Sequence, residues 1–122
     1  MTNILRFLVV DDDPTISILL SSILQTELEM IHVDRALNAE KALIRLRESA
    51  YDVLITDQMM PGENGTSLIR HARVIDPSLA IILMSAMVNS ELKTEAHKLG
   101  DVAVISKPLE IDELLGLIPP RE

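Results

Sequence analysis

Tyr51-Asp52-Val53-Leu54-Ile55-Thr56-Asp57-Gln58-Met59-Met60-Pro61-Gly62-Glu63-Asn64-Gly65 decides how the rest of the sequence is read. Val53 to Thr56 is a short apolar, β-branched run of the kind that fits a strand buried on both faces, and it stops abruptly at Asp57. Pro61, Gly62, Asn64 and Gly65 require a turn before an apolar-periodic helix begins near Thr66. Asp57 is therefore expected on a rigid strand end with a loop wrapped beside it. An aspartate in that place also serves as an ordinary turn cap, so any chemical role for it has to come from the other strand ends.

Working outward, Ile4 to Val10 reads as a first buried strand that ends in Asp11, Asp12 and Asp13. Asp13 is placed to cap a helix opened by Pro14, whose sheet-facing side is Ile16, Leu19, Leu20, Ile23 and Leu24. Met30 to Val33 reads as an outer strand, and Asn38 caps a second helix with Ala39, Ala42, Leu43 and Leu46 on its face. Beyond the central stretch, Leu68, Ile69, Ala72 and Ile75 mark a third helix closed by Asp76-Pro77. Ala80 to Met84 is a strand ending at Ser85-Ala86. Ser90 to Leu99 is a mostly polar fourth helix with a thin stripe of Leu92, Ala96 and Leu99, which predicts loose docking and a stop at Gly100. Val102 to Ile105 is a fifth strand ending at Ser106-Lys107-Pro108. Ile111, Leu114, Leu115 and Ile118 mark a last short helix ended by Pro119-Pro120.

Five strand–helix units in alternation imply an α/β fold: one doubly wound, five-stranded parallel sheet in the flavodoxin-like order 2-1-3-4-5, with helices on both faces. Residues 1–118 are expected to form the domain, with 119–122 as a tail or the start of a linker. At 122 residues a single domain buries roughly two thirds of the surface its unfolded chain exposes. Aromatic residues make up 2% of the chain, so the core must be aliphatic. The absence of cysteine excludes thiol chemistry and zinc–thiolate sites. A net charge of -8 without a basic cluster argues against direct nucleic acid binding. No apolar run reaches the roughly 20 residues of a membrane helix and no signal peptide opens the chain, so a cytoplasmic location is expected.

In such sheets the working site lies at the carboxyl edge, where strand order reverses. Asp11, Asp12, Asp57, Ser85 and Lys107 would meet there. Carboxylates about 4 Å apart repel by roughly 4 kcal/mol per pair at an effective dielectric near 20, so they need a cation or must take up protons. An all-oxygen ligand set with open positions suits Mg²⁺. Lys107 would neutralise one phosphoryl oxygen and Ser85 would donate to another, leaving Asp57 to attack in line as nucleophile.

The stretches Leu8-Val9-Val10-Asp11-Asp12-Asp13-Pro14, Asp57-Gln58-Met59-Met60-Pro61-Gly62 through Gly65, Ile82-Leu83-Met84-Ser85-Ala86 and Ser106-Lys107-Pro108 together resemble the receiver domain of bacterial two-component response regulators, over essentially the whole chain. The resemblance implies that Asp57 accepts a phosphoryl group from the phosphohistidine of a histidine kinase or phosphotransfer protein. It implies that Asp12, Asp57 and the Met59 carbonyl hold Mg²⁺, with Asp11 assisting through water, and that Lys107-Pro108 is a cis peptide. It also implies that the fourth helix, fifth strand and last helix carry a homodimer or effector surface, which includes the otherwise solvated Glu91, Lys93, Glu95 and Lys98.

Two departures from the family pattern bear on mechanism. Val104 stands where the family usually carries Tyr or Phe, so signalling is expected to rely on Ser85 and the loop after it, shifting the fourth helix. Met59 and Met87 stand where side chains flank the path of the hydrolytic water, and bulky thioethers there predict a long-lived phosphoryl state. Rival readings are a haloacid-dehalogenase-type phosphatase with Asp11 as nucleophile, a flavodoxin-like cofactor binder, and a degenerate receiver that only binds partners. Pro14 in place of glycine, the missing later acidic pair and the lack of a cap domain count against the first. Three acids where a phosphate-cradling loop would be rich in Gly, Ser and Thr count against the second. The intact set of acids, Ser85 and Lys107 counts against the third. His32, His71 and His97 lack ligand spacing and read as surface residues.

Overall fold

Five strand–helix units follow one another in the computed structural model, which describes residues 3–120: β1 (Leu5–Val10), α1 (Pro14–Glu27), β2 (Ile31–Ala36), α2 (Ala39–Glu48), β3 (Val53–Asp57), α3 (Gly65–Ile75), β4 (Ala80–Ser85), α4 (Ser90–His97), β5 (Val102–Ser106) and α5 (Ile111–Gly116). Each of the first four helices starts from a side-chain oxygen that satisfies a first-turn N–H, since those groups have no partner within the helix. Asp13 accepts from Thr15 N–H (2.9 Å), Asn38 from Lys41 N–H (2.8 Å), Asn64 from Ser67 N–H (2.9 Å) and Asn89 from Leu92 N–H (2.8 Å).

All pairings are parallel and the sheet order is β2-β1-β3-β4-β5, the order the alternation of units implies. Strand residues alternate between two cores. Leu8, Val10, Leu54 and Leu83 face α2, α3 and α4, whereas Phe7, Val9, Val53, Ile55, Ile82, Met84 and Ile105 face α1 and α5. Because both faces are covered, residues 7–10 of β1, 53–55 of β3 and 80–84 of β4 are apolar without interruption, and each fully buried Leu or Ile contributes roughly 1.5–3 kcal/mol. Arg73 on α3 ties the amino end of the sheet together, donating to the backbone carbonyls of Pro77, Leu79, Leu99 and Asp101.

The structure corrects the expected elements in four places. β2 spans Ile31–Ala36 instead of Met30 to Val33. Met30 turns the chain with φ +57°, a conformation that does not continue a strand. The strand runs on through His32, Asp34 and Arg35 because it is an edge with polar partners: Tyr51 Oη and the His32 ring both bond the Asp34 carboxylate, and Arg45 lies 3.8 Å from it. On α1, Leu19 is 55% exposed and Ser17 occupies the buried face with Leu20 and Leu24. Ser17 Oγ donates to the Pro14 carbonyl (3.1 Å), which makes a small polar residue tolerable against the sheet. α4 ends at His97, short of Leu99, ahead of Gly100 at φ +98°. α5 ends at Gly116, with a tight turn carrying Ile118 before the two prolines. The expected tail, residues 119–122, lies partly outside the described residues. No helix among them is long and apolar enough to cross a membrane.

Candidate functional site

The sheet order places the carboxyl ends of β1, β3, β4 and β5 side by side, and Asp11, Asp12, Asp57, Ser85 and Lys107 meet there. Carboxylate oxygens of Asp11, Asp12 and Asp57 lie within 4.8 Å of one another. Asp11 and Asp57 are buried, and Asp12 is exposed at the mouth. Lys107 Nζ stands between the two buried acids, 3.2 Å from Asp57 Oδ1 and 3.3 Å from Asp11 Oδ2. Its backbone N–H donates to the Ser85 carbonyl (2.9 Å), so pairing beside β4 fixes the height of the lysine. The following Lys107–Pro108 bond is cis.

The charges do not balance, since one ammonium faces two buried carboxylates and a third at the rim. Burial pushes the Asp57 carboxyl above the usual aspartate range; Lys107 pulls against this, Asp11 adds to it, and a hydrogen bond from the Met59 N–H opposes it. Burial also disfavours the Lys107 ammonium, but Asp11 and Asp57 outweigh it and hold the lysine above its ordinary value. Each Asp11 oxygen has a partner, with Oδ1 accepting the Asp13 N–H (2.9 Å) and Oδ2 facing Lys107. An all-oxygen group with uncompensated negative charge fits a hard divalent cation, and Asp11, Asp12 and Asp57 present the oxygens that would bind one.

Ser85 is bound into its own turn. Its Oγ donates to the Met87 carbonyl (3.2 Å) and accepts the Met87 N–H (3.1 Å). Met59 and Met87 are 70% and 75% exposed on the two loops beside Asp57. Val104 is partly buried against the α2–α4 core. The histidines stand outside the acidic group: His32 bonds Asp34 (2.9 Å), and His71 bonds Glu63 on the β3–α3 loop.

Sequence reading passed over Gln58 and Thr66. The Gln58 side chain accepts the Thr66 N–H (2.9 Å) and donates to Thr66 Oγ1 (3.3 Å), closing the loop between β3 and α3. No local pattern pairs two polar residues across a turn of this length. Gly65 carries the other half of the closure: a Cβ there would lie 2.5 Å from the Asp57 carbonyl oxygen and 2.8 Å from Leu83 Cδ1. That requirement is legible only in part as a glycine after a turn.

The chain matches the response regulator receiver domain over residues 7–119. It is 32% identical over 112 residues to a response regulator receiver protein of Anaeromyxobacter sp. (strain Fw109-5), covering 92% of this chain and 46% of that one. It is 29% identical over 109 residues to the sporulation initiation phosphotransferase F of Bacillus subtilis, covering 89% and 86%. Among solved structures, the chemotaxis protein CheY4 of Vibrio cholerae superposes with a TM-score of 0.85 at 25% identity, over 93% of this chain and 95% of that one.

The raised Asp57 carboxyl has a measurable consequence. A group whose folded pKa exceeds its unfolded value stabilises the fold at low pH, and that contribution is lost as pH rises through the folded value. In solution without divalent cations, Asp57→Asn is therefore expected to stabilise the protein by about 1 kcal/mol at pH 7. The gain should shrink as pH falls toward 3.8, the ordinary aspartate value. Urea unfolding of both proteins from pH 4 to pH 8 measures it; a constant difference, or a loss in the variant, would contradict the charge imbalance.

Proposed function

The chain belongs to the response regulator receiver domain family, the phosphoacceptor switches of two-component systems, and from that premise we propose that Asp57 is the phosphoacceptor. The observation that carries this is the single Lys107 ammonium held 3.2 Å from a buried Asp57 at the end of β3. A free Asp57 oxygen attacks phosphorus opposite the P–N bond of a partner's phosphohistidine. The O–P bond forms as the P–N bond breaks, and the electron pair leaves on the imidazole nitrogen. Lys107 is in reach of a phosphoryl oxygen beside Asp57 and keeps its charge there.

Asp12, Asp57 and the Met59 carbonyl would hold Mg²⁺, with Asp11 assisting through water because both of its oxygens already have partners. Bound there, the ion supplies the positive charge that offsets the acids and a phosphoryl oxygen. The same engagement of Asp11 disfavours it as a nucleophile and so the phosphatase reading.

For Ser85 to donate to a phosphoryl oxygen, only its bond to the Met87 carbonyl has to break, since the bond it accepts from the Met87 N–H can persist. The turn at 86–89 then moves with it, and α4 follows, held to the sheet chiefly by Leu92 and Ala96. Val104 provides no ring to report the event, so output is assigned to this turn and to the α4, β5 and α5 surface, where a second copy or an effector would dock. A histidine kinase or phosphotransfer protein is the donor. The apolar groove formed by Ile16, Leu19, Leu20, Ile23, Pro108 and Leu109 beside Lys107 supports docking of an apolar helix face there. The domain assists its own phosphorylation and, slowly, its own dephosphorylation.

Intact-mass spectrometry after incubation with acetyl phosphate tests the assignment. One base-labile, Mg²⁺-dependent adduct is expected on the native protein and none on Asp57→Asn, with amide exchange changing at 86–97 in the loaded sample. An adduct surviving in Asp57→Asn would overturn Asp57 as acceptor. Met59→Asn, which offers an amide to orient water, should speed loss of the adduct by about tenfold; an unchanged rate would remove Met59 from the hydrolytic path.

A further inference from the structure

Four hydrogen bonds converge on Gln58. Its N–H donates to the Met84 carbonyl (2.8 Å) and its carbonyl accepts the Gly65 N–H (3.0 Å). Its side-chain Oε1 accepts the Thr66 N–H (2.9 Å) and its Nε2 donates to Thr66 Oγ1 (3.3 Å). Thr66 is 1% exposed, and its hydroxyl donates onward to the Asn64 carboxamide oxygen (3.0 Å), the same oxygen that accepts the Ser67 N–H. The Asn64 cap serves Ser67, so without Gln58 the Thr66 N–H would be a buried first-turn donor with no acceptor.

The residue that leaves this clasp is Met59. Its side chain is 70% exposed and anchors nothing, whereas Met60 is buried in the α2–α4 core. The two peptide planes on either side of Met59 are thus fixed by Gln58 behind and Met60 ahead. One of those planes carries the Gln58 carbonyl bonded by the Gly65 N–H, and the other presents the Met59 carbonyl.

We propose that Gln58 is a positioning residue: by clasping Thr66 it sets the Met59 peptides, so that the carbonyl remains available to a divalent cation. This rests on the reading of Asp57 and Met59 given above. The clasp acts at a distance of one residue, through backbone, and touches no reacting atom. Its signature is a change in cation affinity that a merely destabilised fold would not show, because partners one shell out from a metal ligand commonly govern affinity.

The test compares native protein, Gln58→Leu, Thr66→Val and Thr66→Ser at a temperature where urea titration shows each to be folded. Mg²⁺ binding is read directly from amide shifts of residues 57–60. Gln58→Leu should raise the half-saturating Mg²⁺ concentration by about tenfold. Thr66→Val, which loses one of the two clasp bonds, should raise it by about threefold, and Thr66→Ser should behave as native. The double variant Gln58→Leu/Thr66→Val should be no worse than Gln58→Leu alone, as coupling through one interaction requires. Loading from acetyl phosphate should fall in the same ratios at low Mg²⁺ and recover at saturating Mg²⁺. If Gln58→Leu fails to fold, the Thr66→Val and Thr66→Ser pair carries the comparison. Equal half-saturation in all folded variants, while the native protein binds Mg²⁺ and loads at Asp57, would overturn the clasp and leave the function standing. A native protein that neither binds Mg²⁺ nor loads would overturn the function and the clasp with it.

Discussion

One lysine ammonium stands between two buried carboxylates at the carboxyl edge of the sheet, 3.2 Å from Asp57 and 3.3 Å from Asp11. This ion pairing does not neutralise the site, because Asp11, Asp12 and Asp57 outnumber Lys107. On the proposed reading, the surplus negative charge would give the site an affinity for a cation, and a phosphoryl group would become acceptable when that cation is bound. Removing Lys107 would leave two buried carboxylates with no cationic partner, whereas removing Asp11 or Asp57 would leave one buried ion pair with Asp12 at the rim and a smaller surplus of negative charge. On that reading the function would depend on the imbalance as much as on Asp57 as nucleophile.

The fold's task is to hold these groups at fixed distances from four separate stretches of chain. Parallel pairing sets the depth of each strand end, as the Asp57–Met84 and Ser85–Ser106 register shows. The β3–α3 loop is then pressed onto the site by Gly65, which has no room for a side chain, and pinned by the Gln58–Thr66 clasp. By contrast, the loop after β4 is held by the Ser85 hydroxyl turned back on Met87 and, at its far end, by the Asn89 cap on α4. On the proposed reading the clasped loop would supply the metal-binding carbonyl and the loop after β4 would move on phosphorylation.

Much of this was legible from residue order alone. Continuous apolar runs ending in acid, serine or lysine gave the strands and the site together, because burial on both faces erases alternation and leaves the first polar residue at the edge. Asp13 and Asn38 were legible as caps for the same local reason. The misreadings came where tertiary partners override local pattern. β2 extends through His32, Asp34 and Arg35 only because Tyr51 and Arg45 reach it from other elements. Leu19 has the spacing of a core residue but faces outward beside the groove at Pro108, while Ser17, bonded to Pro14, packs beneath the helix. Gln58 escaped notice because its partner is set by loop closure, which sequence spacing does not reveal.

The central claim, that Asp57 carries uncompensated charge which a cation relieves, is tested most directly by carboxyl-carbon NMR titration of Asp57 with and without Mg²⁺. Without the ion the midpoint should lie above 3.8, and with saturating Mg²⁺ it should fall below its metal-free position. A midpoint at the ordinary aspartate value that Mg²⁺ leaves unmoved would contradict the account.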